Sequence, residues 1–196
     1  MKKALIINAH QKYEGWAEGK LNHHFAQVAT DQLTELGYQI ATTTIDLGYD
    51  IEEEVDKHVW ADVVIIQTPL YWMSTPWTFK KYIDEVFNAG LGTKLAENDG
   101  RTRTDPSKKY GSGGLAQGKH VLLSVTLNAP SNSFNSDEFF AGKTIDELFM
   151  WVHKAYQFNG FTSLAGFAAY DVVKNLDLEG DTARYQDHLA TVLSSL

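Results

Sequence analysis

The stretch from Ala61 to Gly90, ADVVIIQTPLYWMSTPWTFKKYIDEVFNAG, leaves this chain few folds to choose from. It opens with Val63-Val64-Ile65-Ile66, an unbroken β-branched run of the kind found in a strand buried on both faces of a parallel sheet. It closes with Phe79, Tyr82, Ile83, Val86 and Phe87 at i, i+3, i+4, i+7 and i+8, the apolar stripe of an amphipathic helix. Thr75 is the expected N-cap, Pro76 suits the first turn, and Gly90 stands where a C-terminal stop is expected. Between strand and helix lies Gln67 to Ser74, a loop crowded with Tyr71, Trp72 and Met73. Loops at the carboxyl ends of parallel strands are where open α/β sheets bind ligands, and aromatic surface there suits a flat, planar one.

Around this unit the chain alternates strand and helix patterns. Ala4 to Ile7 reads as a short buried strand, and Lys20 to Leu36 as a helix with Leu21, Phe25, Val28, Ala29, Leu33 and Leu36 inward. Gly37 ends that helix and Gln39 to Ile45 forms a second strand. A short acidic helix from Glu52 to Trp60 leads into the central unit. His120 to Val125 resumes a strand, Thr144 to Phe158 reads as a helix, Thr162 to Tyr170 as a fifth strand, and Asp181 as the cap of a last helix ending near Leu193. Five strands in βαβ alternation imply a doubly wound parallel sheet with right-handed crossovers, order 2-1-3-4-5, and helices on both faces. The rhythm breaks only at 91–118, a polar, Gly-rich excursion holding Lys94, Arg101, Arg103, Lys108 and Lys109. At 196 residues a single domain is expected.

Composition excludes several classes. A net charge of −8 argues against nucleic acid or an anionic membrane as partner. Without cysteine there is no disulfide framework, thiol nucleophile or zinc-thiolate site. No apolar run is long enough to span a bilayer, and the one at Ala4 to Ile7 is too short for a signal peptide, so a cytoplasmic protein without membrane insertion is expected. Two glycine patterns are decoys. Gly111 to Ala116 fits G-x-G-x-x-A but follows a charged loop, and Gly113 to Lys119 lacks the Ser or Thr and the helix of a P-loop. The histidines have no ligand spacing, so no metal is expected, and Asp46, Asp50 and Glu52 to Glu54 read as solvated acidic surface.

The topology brings three loops to one switch point, between strands 1 and 3: Asn8 to Gly19, Pro69 to Ser74 and Thr126 to Pro130. Tyr71 and Trp72, ahead of the helix, read as site residues, whereas Trp77 is equally well read as core. Asn8, His10, Lys12 and Lys20 lie before or at a helix N-terminus, a place suited to phosphate, although a solvated loop has similar content.

The stretches WADVVIIQTPLYWMSTPWTFKKYIDEVF, DGRTRTDPSKKYGSGGLAQGK, LNAP and HKAYQFNGF, with the frame around LIIN and GKLN, cover nearly the whole chain. In them it resembles the flavodoxin-like NAD(P)H:quinone oxidoreductases, in particular the bacterial modulator of drug activity B branch. The resemblance implies an FAD-bound homodimer that reduces quinones by two electrons with NADPH, in ping-pong turnover, with the flavin carrying the hydride and no side-chain base required for that step. By position, Ala17, Glu18, Gly19, Lys20, Leu21, Asn22, His23 and His24 would hold the pyrophosphate and ribityl chain. Leu70, Tyr71, Trp72 and Met73 would face the flavin ring. Thr126, Leu127, Asn128 and Ala129 would offer backbone N–H groups to its pyrimidine edge, with Asn128 and Ala129 tuning the reduced ring. Tyr110 and Glu54 match two further contacts. Leu127 and Leu70-Tyr71 depart from the Trp and Gly-Trp usual in this branch, which leaves an apolar wall of altered stacking. On the same fold, an electron carrier, a regulatory binding module and an azo-reductase are the competing readings. The segment 91–118 is expected to fold over the flavin site, from its own chain or a partner's, and to attract the nicotinamide phosphates.

Overall fold

The computed structural model describes residues 1–194 and 196. Strands β1 (Lys3–Asn8), β2 (Gln39–Thr44), β3 (Val63–Pro69), β4 (His120–Thr126), β5 (Thr162–Ser163) and β6 (Phe167–Ala169) form one parallel sheet. Its order is β2-β1-β3-β4-β5, with β6 continuing along the same edge of β4. The connecting helices are α1 (Lys20–Glu35), α2 (Ile51–Trp60), α3 (Trp77–Gly90), α4 (Ile145–Leu148), α5 (Met150–Phe158) and α6 (Leu178–Leu193). The 2-1-3-4-5 order expected from the alternation is therefore the one observed.

Register explains why the strand runs are apolar on both sides. Ile7, Ile66 and Leu123 lie abreast and face the core under α2, α3 and α5, while Ile6, Ile65 and Leu122 face α1 and α6. Each such side chain withdrawn from water contributes about 1.5–3 kcal/mol. Phe25 and Leu33 of α1 meet Tyr185, Leu189 and Leu193 of α6 on one face, and Phe79, Tyr82, Val86 and Tyr156 fill the other. Leu36, expected inward, is the exposed C-cap of α1, one step past the helical stripe.

Local chemistry departs from expectation at several ends. Thr75 does not cap α3: Pro76 holds the cap position, and the Thr75 hydroxyl donates to the Pro76 carbonyl at 3.3 Å. Gly90 is the last residue of α3 rather than its stop, and a Cβ there would lie 2.5 Å from the Leu95 side chain, so close packing is what needs glycine. The helix expected over 144–158 breaks at Phe149 into α4 and α5, and Thr144 with Glu147 makes a capping box. Asp177, not Asp181, caps α6 by accepting from Gly180 N–H at 3.0 Å; Asp181 is buried against Arg184.

The expected fifth strand is also divided, between β5 and β6. Asp146 Oδ2 accepts from Gly166 N–H at 3.1 Å, and its other oxygen meets His153 Nε2 at 3.0 Å, while His153 Nδ1 meets Ser163 Oγ at 3.0 Å. A Cβ on Gly166 would fall 2.5 Å from Asp146 Oδ1, so the bend exists because glycine admits the carboxylate.

The excursion at 91–118 is ordered against the amino-terminal end of the sheet. Leu95 and Ala96 are buried, Leu115 N–H donates to Leu95 O, and Ala116 N–H to Asn159 O just before β5. Lys94 pairs with Asp56 of α2, and Tyr110 lies against Phe158 at the end of α5.

Candidate functional site

A cleft of about 420 Å³ opens at the other end of the sheet, where the carboxyl ends of β1, β3 and β4 meet. Of the residues expected there, Ala17, Glu18, Gly19, Lys20, Leu21, Asn22, Leu70, Tyr71, Thr126, Leu127 and Asn128 line it. It is completed by His10, Trp16, Pro69, Val172 and Val173.

The start of α1 forms one wall. Gly19 has φ 82°, and a Cβ on it would stand 2.6 Å from His10 Nδ1, so only glycine brings the helix this close. No side chain caps α1, its first turn carries no acid, and the N–H groups of Lys20, Leu21 and Asn22 have no partner among the described residues. Free N–H groups and the helix dipole make this end attractive to an anion. Beneath it the Asn22 side chain, 5% exposed, accepts from Gln67 Nε2 at 2.9 Å and Thr126 Oγ1 at 3.2 Å. Gln67 Oε1 is buried there without a partner among the described residues.

Apolar and aromatic groups form the opposite wall. Tyr71 and Ser74 exchange backbone hydrogen bonds at 2.8 and 3.0 Å across a two-residue turn, with φ 44° at Trp72 and 65° at Met73. Two positive φ values in succession are the type I′ pattern, strained for side-chain-bearing residues. Met73→Gly should therefore stabilise the protein by about 1 kcal/mol, seen as a higher urea midpoint; a midpoint that falls would show that the turn stores no strain. The Tyr71 ring lies 5.2 Å from Trp16 and 5.8 Å from Tyr13, an aromatic nest along the rim.

The third wall follows β4. Leu127 N–H donates to Ala169 O at 3.0 Å, so it is not free for a ligand, contrary to the expectation for that residue. The N–H groups of Asn128 and Ala129 have no partner among the described residues. Asp171 N–H donates to Ala129 O and Val172 N–H to Leu127 O, each at 3.1 Å, which draws the segment after β6 over the cleft.

The remaining expected contacts lie elsewhere in the isolated chain. His23 turns into a small groove beside β2, and His24 meets Thr182 of α6 at 2.8 Å. Trp72 is 91% exposed, Met73 stands beside it, and the Ala129 side chain packs on the core, although its backbone adjoins Asn128 at the cleft. Trp77, left open as core, is exposed at the start of α3. Glu54 is 1% exposed inside the fold, which also overturns its reading as acidic surface. Tyr110 and the basic segment sit at the far end of the sheet, so they do not cover the cleft of their own chain. Val172 and Val173 were missed; the rule that ligands sit past the carboxyl ends of strands would have found them had the fifth strand's own loop been included.

A doubly wound sheet with an uncapped helix start and an aromatic rim at its switch point defines a flavodoxin-like protein. The family model described as "Flavodoxin-like fold" matches residues 2–193, and the chain belongs to that family. A Haemophilus influenzae protein named NADPH:quinone oxidoreductase MdaB is 48% identical over 179 residues, 91% of this chain and 93% of that one. Among solved structures, a candidate quinone reductase of Klebsiella pneumoniae shares the fold with TM-score 0.76 at 23% identity, over 100% of this chain and 85% of that one. General stress protein 14 of Treponema denticola, solved with FMN, does so with TM-score 0.62 at 18% identity, over 98% and 97%.

Proposed function

We propose that this chain is an FAD-dependent NAD(P)H:quinone oxidoreductase that works as a homodimer, with NADPH as donor. The carrying observation is the pairing of an uncapped α1 N-terminus with an apolar wall across one cleft, a fit for a ligand that is anionic at one end and flat at the other. The name of the 48% identical relative supports the substrate class.

The chain's own groups have distinct tasks. The N–H groups of Lys20 to Asn22 and the Lys20 ammonium would hold a pyrophosphate. Leu70, Tyr71 and Leu127 would keep water from a ring lying against them, and the free N–H groups of Asn128 and Ala129 would donate to its carbonyl edge. When bound, a flavin supplies hydride transfer between nicotinamide and quinone. A single slot for two flat substrates implies alternate binding and ping-pong kinetics. FAD rather than FMN is supported by the reach of the cleft past the α1 N-terminus to Val172 and Val173, where a second nucleotide half would lie. The basic segment with Tyr110, remote from its own cleft, is free to reach the cleft of a second copy.

Purified protein should carry flavin bands, release FAD at one per chain on denaturation, and oxidise NADPH with menadione in parallel-line initial-rate plots. FMN at one per chain would overturn the dinucleotide part. Flavin binding without turnover would make the chain a carrier or a binding module.

A further inference from the structure

We propose that Ser163 and His153, with the histidine oriented by Asp146, form a second active site, an esterase that hydrolyses aryl esters of small carboxylic acids. It is independent of the cleft: β5, which carries Ser163, pairs with His120 and Val121 at the amino-terminal end of β4, whereas the cleft opens past the carboxyl end.

Three elements bring the groups into one chain of hydrogen bonds. Asp146 stands in the first turn of α4, His153 on α5 and Ser163 at the end of β5. Asp146 Oδ1 meets His153 Nε2 at 3.0 Å, and His153 Nδ1 meets Ser163 Oγ at 3.0 Å. A carboxylate only accepts, so in the uncharged ring Nε2 carries the hydrogen and Nδ1 is left to accept from the serine hydroxyl. A nucleophile touching a base, and that base fixed by a third group, is the arrangement that activates a hydroxyl for attack. The carboxylate is itself anchored, because Gly166 N–H donates to its Oδ2 at 3.1 Å. Burial pushes the Asp146 carboxyl up, but the hydrogen bonds from His153 and Gly166 outweigh it and hold the group below its ordinary range. The His153 side chain is 12% exposed, whereas Ser163 is exposed, so the base is sheltered and the nucleophile can be reached.

The backbone supplies a donor for the oxygen that becomes charged. Thr162 and Leu164 N–H groups donate inward to Lys119 O and Val121 O at 2.9 and 2.8 Å. The Ser163 N–H between them therefore points out from the edge of the sheet, without a partner among the described residues. One such donor stabilises an oxyanion less than two would, so the ester must have a weakly basic leaving group, a phenol. Asp146 and Gly166 also wall a groove of about 470 Å³ with Phe134 and Tyr170, which offers ring surface to that phenol.

In the first step Ser163 Oγ bonds to the ester carbonyl carbon as its proton passes to His153 Nδ1, and the carbonyl oxygen takes the electron pair facing the Ser163 N–H. The pair returns, the bond to the phenol oxygen breaks, and the phenol leaves with the proton from Nδ1. Water then attacks the acyl carbon, giving a proton to Nδ1, and that proton returns to Oγ as the serine ester bond breaks. One ester and one water give one phenol and one acid, with nothing oxidised or reduced.

Two measurements test this on the purified full chain. The wild type should hydrolyse p-nitrophenyl acetate, and Ser163→Ala and His153→Gln should each lose at least tenfold in rate. A fluorophosphonate should add once to the wild type, with peptide mapping placing the adduct on Ser163. Asp146→Asn, which keeps the shape and withdraws the charge, should slow that labelling at least tenfold, an effect that a merely bend-holding carboxylate would not have. Labelling of the wild type needs no variant, so it decides the matter even if a substituted protein fails to fold. A wild type left unlabelled at Ser163, or a Ser163→Ala protein that hydrolyses the ester as fast as the wild type, overturns the proposal and leaves the function of the cleft untouched.

Discussion

Glu54→Ala should cost the fold about 3–5 kcal/mol, a large share of the roughly 5–15 kcal/mol that holds a typical domain together. The carboxylate is buried, accepts the Tyr82 hydroxyl at 2.6 Å and the Thr43 hydroxyl at 2.8 Å, and pairs with Lys57 at 2.5 Å. Truncation strands a buried phenol, a threonine hydroxyl and a half-buried ammonium at once. Glu54→Gln keeps the shape and one acceptor, so about 1–2 kcal/mol is expected. Urea midpoints check both values. They also separate two roles for this residue: a fold-holding carboxylate loses stability with little change in flavin occupancy, whereas a cofactor contact would lose occupancy first.

A second large effect is built into His58, which is completely buried on α2 with Nδ1 on the Glu54 carbonyl at 2.8 Å and Nε2 on the Tyr156 hydroxyl at 3.0 Å. Nδ1 faces an acceptor and so carries the proton, and Nε2 accepts from the phenol, an arrangement that requires the neutral ring. Burial lowers its pKa to about 4, against opposing help from the Glu54 carbonyl and carboxylate. Because the folded pKa lies below the unfolded value of about 6.5, the unfolded chain binds the proton first as pH falls. The stabilisation is complete above about 6.5 and is lost progressively down to about 4, amounting to about 3 kcal/mol. The difference in unfolding free energy between wild type and His58→Gln should therefore shrink as pH falls through this window. A difference that stays constant would show that the ring titrates normally.

Why the central unit was readable and Glu54 was not comes down to range. Val63 to Ile66 and the stripe from Phe79 to Phe87 are periodic signals that a local window contains, and the sheet order follows from alternation and handedness. Glu54 sits in a run of three glutamates, and only the packing of α2 on α3 decides that one of them faces Tyr82. The split of the last strand depends on Asp146, twenty residues away from Gly166, and the cap of α6 depends on which of Asp177 and Asp181 meets a free N–H. At the cleft, the α1 start and the Tyr71 loop were legible from loop position. Val172 and Val173 were not, because they arrive through tertiary hydrogen bonds to Leu127 and Ala129. Trp72 and Tyr110 matched site positions by resemblance, yet the single chain leaves both outside its own cleft.

The divided last strand also bears on how the protein stays dispersed while it folds. A parallel sheet forms slowly through distant pairings and meanwhile offers two bare borders to which a stranger's backbone can zip. One border here is cut into pieces of two and three residues by the bend at Gly166, too short and too crooked to template a neighbour. The other, β2, is six residues long, but Lys57, paired with Glu54, also donates to its Thr42 carbonyl at 3.4 Å and so occupies one of the acceptors that a stranger would need. A side chain at Gly166 would press on the Asp146 carboxylate and undo the bend, so Gly166→Val should raise the insoluble fraction of an expression culture.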